Sequence, residues 1–163
     1  MHITRRTCLV WASGFAAASS LGACATTGSA DASGTGFLRK RLGNFIITAV
    51  SDGSSRRPLD ASFVRNAPLA QVQAALAAQN LPTEFIDVPY TCYVIETAGK
   101  RYLLDTGFGD NGGPGTGSLH THLRAAGIAP ESIDTIILSH LHGDHINGLR
   151  RKNGELVYPK ATV

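Results

Sequence analysis

The sequence predicts a layered structure in which helices pack on a β-sheet, and three patterns carry that expectation. Runs such as "NFIITAVSDG" (Asn44–Gly53) and "TCYVIETAG" (Thr91–Gly99) show the two-residue apolar period of strands. "APLAQVQAALAAQN" (Ala67–Asn80) sets Leu69, Val72 and Leu76 along one helical face. "DTIILSH" (Asp134–His140) is almost wholly apolar, as expected of a strand buried on both faces.

Taken in chain order, residues 1–24 read as an export signal. Basic Arg5 and Arg6 precede an apolar stretch from Cys8 to Ala23, which ends in small residues. The stretch holds Gly, Ser and Ala throughout, so it is too short and too weakly apolar for a comfortable membrane span. Arg5-Arg6 with Cys8 and Leu9 resembles a twin-arginine signal; the alternative is an ordinary secretory signal that happens to hold two arginines. "LGAC" (Leu21–Cys24) resembles a lipobox, which would make Cys24 a lipidated N-terminus. Ala23, Ala25, Ala30 and Ala32 offer ordinary cleavage sites instead. Either way the expected location is periplasmic or exported, with membrane contact only through the signal or a lipid on Cys24. Residues 25–36 lack apolar periodicity and read as a flexible linker.

The body, residues 37–163, opens with the Asn44–Gly53 strand, expected to end in a turn at Asp52-Gly53. A short amphipathic helix follows, with Pro68 at its first position. Two strands, Thr91–Thr97 and Arg101–Asp105, are joined by a turn at Ala98-Gly99. Cys92 lies in the first of them and is expected to be a buried strand residue rather than a nucleophile. A second helix is predicted over Ser118–Ala126, with Ser118 as N-cap and Gly127 just past its end. His120 and His122 are two apart on it, point to nearly opposite sides, and are expected to face solvent.

Composition narrows the class of partner. The 163 residues are 43% hydrophobic and carry a net charge of +3, but without Arg5 and Arg6 only 13 basic residues face 12 acidic ones. A near-neutral body gives no reason to expect nucleic acid or an anionic membrane as partner.

The apolar Asp134–His140 strand delivers the chain into "SHLHGDHINGL" (Ser139–Leu149), where His140, His142, Asp144 and His145 fall within six positions. Zinc and similar transition metals take imidazole nitrogens and carboxylate oxygens. Histidines at i and i+2 in an extended loop can grip one ion, while Asp144 and His145 can face a second. At these residues the chain resembles the metallo-β-lactamase superfamily, whose H-x-H-x-D-H signature they match. "YLLDTG" (Tyr102–Gly107) is similar to the element that precedes the metal loop in that family. "LGNFIITAVSDG" (Leu42–Gly53) and "AGIAPESIDTIILSHLHGDHINGL" (Ala126–Leu149) resemble the methyl parathion hydrolase-like and acyl-homoserine-lactonase-like branch.

The resemblance implies an α+β fold, an αββα sandwich of the metallo-β-lactamase type, of which residues 37–163 would supply only the N-terminal half. It implies two divalent metal ions, zinc foremost, with manganese, cobalt or iron fitting the same ligands. His140 and His142 would bind the first ion, and Asp144 and His145 the second, with Asp144 the residue on which catalysis depends. Asp105 would orient ligands from behind; the plainer reading of Asp105 is a strand-end aspartate capping a turn. The implied activity is a metal-dependent hydrolase, with a bridging hydroxide attacking a lactone, a phosphotriester or a related small ester. Members of the family complete the centre with a histidine, a bridging aspartate and another histidine downstream. Beyond His145 this sequence has neither residue type, and Glu155 is its only carboxylate. The expectation is therefore a truncated hydrolase, or alternatively a catalytically dead remnant or lipoprotein that binds metal weakly at most.

Overall fold

The computed structural model describes residues 31–163. The export signal at 1–24, Cys24 and the first part of the linker lie outside the described residues. Among the described residues, no helix is long and apolar enough to cross a membrane.

Six strands form one mixed sheet in sequence order: β1 (Ala32–Gly34), β2 (Phe37–Leu42), β3 (Phe45–Pro58), β4 (Phe85–Thr97), β5 (Lys100–Leu104) and β6 (Thr135–Ile137). The first five are antiparallel neighbours, and β6 pairs parallel to β5. A parallel pair needs a crossover, which α2 (Leu119–Ala125) and its flanking loops provide. The other helices are α1 (Leu69–Ala77) and α3 (Gly143–Ile146). The result is a mixed sheet with helices packed on one face, an α+β arrangement in keeping with the fold class expected from the sequence.

Local chemistry explains most boundaries. Ala98 and Gly99 both have positive φ, the conformation of the two-residue hairpin turn whose twist matches the strands it joins. Pro68 precedes α1, where the missing N–H costs nothing. Gly127, with φ +73°, ends α2 as expected.

The core lies on one face of the sheet. Thr48, Val50 and Asp52 of β3, Cys92 and Val94 of β4, Leu103 of β5 and Ile136 of β6 point inward. Leu119 and Leu123 of α2 cover them, with Ile128, Ile133, Val157 and Tyr158 filling the margin. Burying each of these leucines stabilises the fold by about 1.5–3 kcal/mol.

Several expectations need correction. Residues 32–34, assigned above to a flexible linker, pair with β2, and Asp31 accepts hydrogen bonds from Arg41 N and Lys40 Nζ. Asp52-Gly53 is a bulge rather than a turn: β3 runs on to Pro58 because β4 begins early enough to pair with it. The Asp134–His140 strand is buried on one face only, since Ile136 is inside while Ile137 is half exposed. His120 and His122 both face inward. The His120 ring meets Tyr158 edge to face, and His122 Nδ1 lies 2.7 Å from the Ser51 carbonyl beneath the turn at Gly36.

Candidate metal centre

β6 ends at Ile137, and Ser139 to His142 run as an extended loop into the single turn of α3, which carries Asp144 and His145. The local sequence brings three imidazoles and a carboxylate to one spot. The ring of His140 lies 3.8 Å from that of His145 and 4.6 Å from that of His142, centroid to centroid. His145 Nε2 lies 3.1 Å from Asp144 Oδ2.

The loop is held from behind by the end of β5. Ser139 N and Ser139 Oγ donate to Asp105 Oδ1 and Oδ2, each at 2.8 Å, and His145 Nδ1 lies 2.8 Å from Asp105 Oδ2. Partial burial pushes the Asp105 carboxyl up, but the hydrogen bonds from Ser139 and His145 outweigh it and the net shift is down. Thr106 is fully buried and donates both N and Oγ1 to the His145 carbonyl, each at 2.8 Å. Gly148 closes the loop against the same segment: a Cβ there would fall 1.9 Å from the Thr106 carbonyl oxygen, so only glycine fits.

The donor types suit a zinc-like ion; with Nδ1 turned to Asp105, Nε2 is the nitrogen that would be offered to an ion, and here it faces Asp144 Oδ2. The side chains are gathered but not caged. Among the described residues, no three His, Cys, Asp or Glu side chains form a group that could hold an ion together. His145 has both ring nitrogens engaged with carboxylates, which draws the loop in on itself.

A groove of about 490 Å³ opens beside His142 and Asp144, lined by Arg57, Phe63, Val88, Tyr90 and Phe108. Tyr90 and Phe108 pack edge to face with centroids 4.9 Å apart, and Tyr90 Oη is 2.8 Å from Ser55 Oγ. Cys92 lies in the core, and burial pushes its thiol up to about 12, with Asp52 and Asp105 adding to the shift, so it is no nucleophile.

His140, His142, Asp144, His145 and Asp105 lie near one another at the end of β5 and β6, as neighbours rather than as a closed ligand cage. Ser139, Thr106 and the groove residues were not foreseen. Ser139 is adjacent to the motif and reaches back to Asp105, a role no spacing rule reveals. Phe63, Val88 and Phe108 come from three separate segments.

A family model described as the metallo-β-lactamase superfamily matches residues 86–151. N-acyl homoserine lactonase AiiB of Agrobacterium fabrum is 33% identical over 81 residues, which are 39% of this chain and 29% of that protein. Among solved structures, AidC, a dizinc quorum-quenching lactonase in complex with a product, is similar at a TM-score of 0.75. It is 32% identical over 77% of this chain and 43% of AidC. The hydrolase AbOPH of the β-lactamase superfamily is similar at a TM-score of 0.70, with 28% identity over 78% of this chain and 43% of that one. The chain therefore spans less than half the length of these relatives.

Proposed function

We propose that the chain is a member of the metallo-β-lactamase superfamily and supplies the metal-binding loop of an exported, metal-dependent hydrolase acting on lactones or related esters. The observation that carries this reading is the gathering of His140, His142, Asp144 and His145 on one loop, with Asp105 behind His145. His140 and His142 would hold one ion and Asp144 and His145 the other, a ligand set that suits zinc. Divalent ions at such a centre acidify water and polarise the carbonyl under attack.

The chain's own residues supply orientation and selection. Asp105 and Ser139 fix the imidazole of His145. Phe63, Val88, Tyr90 and Phe108 form an apolar wall on the side where His142 and Asp144 face the open groove, with Arg57 beside them. That wall favours an uncharged substrate with an apolar substituent, which supports a lactone such as an N-acyl homoserine lactone. Export rests on Arg5-Arg6 and the apolar stretch behind them, and attachment to a membrane on lipidation of Cys24.

The test is turnover of N-hexanoyl homoserine lactone and of an aryl phosphotriester by the zinc-loaded full chain and its Asp144→Ala variant. Lactone hydrolysis that falls by about 100-fold or more in Asp144→Ala supports the reading. Full activity in that variant overturns the metal mechanism, and turnover of the phosphotriester alone overturns the substrate class.

A further inference from the structure

Asp52 closes the inward-facing run Thr48, Val50, Asp52 of β3 and is fully buried. A carboxylate so placed must have its oxygens satisfied. Oδ2 accepts from Phe108 N at 2.9 Å and Oδ1 from Leu119 N at 3.0 Å, while its carbonyl accepts from Ser118 N at 3.1 Å. The Ser118 side chain makes no capping bond of its own, so Asp52 caps α2 from across the core. Capping needs one oxygen only; the other holds the loop that follows β5.

That loop is the same one that grips the metal motif. Residues 105–108 have Asp52 on one side and the His140–His145 segment on the other. Asp105 reaches His145 Nδ1, Thr106 donates twice to the His145 carbonyl, and Gly107 accepts from Gly148 N at 2.9 Å. A Cβ on Gly107 would fall 2.5 Å from Asp52 Cγ, so the carboxylate is seated against bare backbone with no slack. We propose that Asp52 is a positioning residue for the His140–His145 loop, acting through the backbone of residues 105–108. The functional consequence rests on that loop binding metal.

The test compares the full chain with its Asp52→Asn variant, first without metal. The asparagine keeps the shape and one acceptor but turns the other arm into a donor, facing Phe108 N or Leu119 N. Phe108 and Leu119 report the substitution directly. Thr106 and His145 lie one step further on and report transmission. Amide exchange at Thr106 is expected to quicken about tenfold or more relative to Val94 in the sheet. Thr106 exchange that merely tracks Val94 overturns the proposal, because a purely structural role loosens loop and sheet alike. Leu123→Ala, which weakens α2 without touching Asp52, is expected to move both amides together. If Asp52→Asn does not fold, Thr106→Val breaks the far end of the same link. His145 exchange must then quicken relative to Val94, and an unchanged ratio overturns the proposal.

Zinc titration separates this inference from the functional reading. Binding about tenfold weaker in Asp52→Asn than in the native chain supports it, and equal affinities overturn it. A native chain that takes up no zinc, while Thr106 exchange still quickens in the variant, sinks the metal reading and upholds the link.

Discussion

Asp105 holds three groups with two oxygens: Ser139 N on Oδ1, and Ser139 Oγ and His145 Nδ1 on Oδ2. Its backbone sits at φ +60°, a region that Asn and Asp tolerate better than other side chains. Asp105→Asn therefore keeps the turn but leaves a single acceptor oxygen for partners that need two. Zinc affinity is expected to fall about 10–100-fold with the far-UV circular dichroism unchanged; undiminished affinity in an intact fold would remove Asp105 from the site. At this scale the sequence was readable where contacts are local. His140, His142, Asp144 and His145 announce themselves by spacing, because one loop and one helical turn hold them all. Asp105 was readable only through its "LLDTG" setting. Asp52 looked like a turn residue, because the amides that bind its carboxylate lie 56 and 67 positions away.

The parallel pairing of β5 with β6 spans only three residues on each strand, so what fastens its base matters. Asp134, just before β6, accepts from Lys100 Nζ at 2.8 Å and from Arg101 N at 2.9 Å. The Lys100 hydrogen bond, then that of Arg101, holds the Asp134 carboxyl below its ordinary 3.8. A carboxyl lowered in the folded state adds stability above its unfolded value, and that contribution disappears as pH falls through the lower folded value. Native protein should therefore melt above Asp134→Asn at pH 5, with the gap closing as pH drops below about 3.8. Paired thermal melts from pH 5 to pH 2.5 check this, and a gap that stays constant would contradict it. The existence of the strands was readable from their apolar period, but their extent was not. β3 continues past Gly53 because β4 offers partners as far back as Phe85, a pairing that no local window contains. His120 and His122 were misread for a related reason. α2 packs against the sheet and also beneath the turn at Gly36, so two of its sides are covered.

Seen as a whole molecule, the sheet is covered on one face and open on the other. Register places Leu38, Ala49, Tyr93, Leu104 and Ile137 in one row across five strands, all pointing away from α2. The neighbouring row is Lys40, Ile47, Ile95, Tyr102 and Thr135. Leu38 and Ile137 are each 50% exposed and Tyr93 is 43% exposed, so this is a broad apolar surface with a single charge in its two rows. Soluble monomers rarely leave so large a contiguous apolar patch in water, and the interior-facing side needs no such contact to remain packed. Residues 31–163 expressed alone are therefore expected to self-associate and to enhance the fluorescence of a hydrophobic dye such as ANS. Light scattering after size exclusion, together with the dye, measures both. A monomer that leaves the dye dark and melts sharply would contradict the expectation. A loosened core would also lead to association, and Tyr93→Lys distinguishes the two causes. Tyr93 is 43% exposed at the centre of the row, so a lysine there charges the open face and leaves Cys92 and Val94 in place on the other. If the open face drives association, Tyr93→Lys lowers both the assembled fraction and the dye signal. If both readouts are unchanged, the surface responsible lies elsewhere.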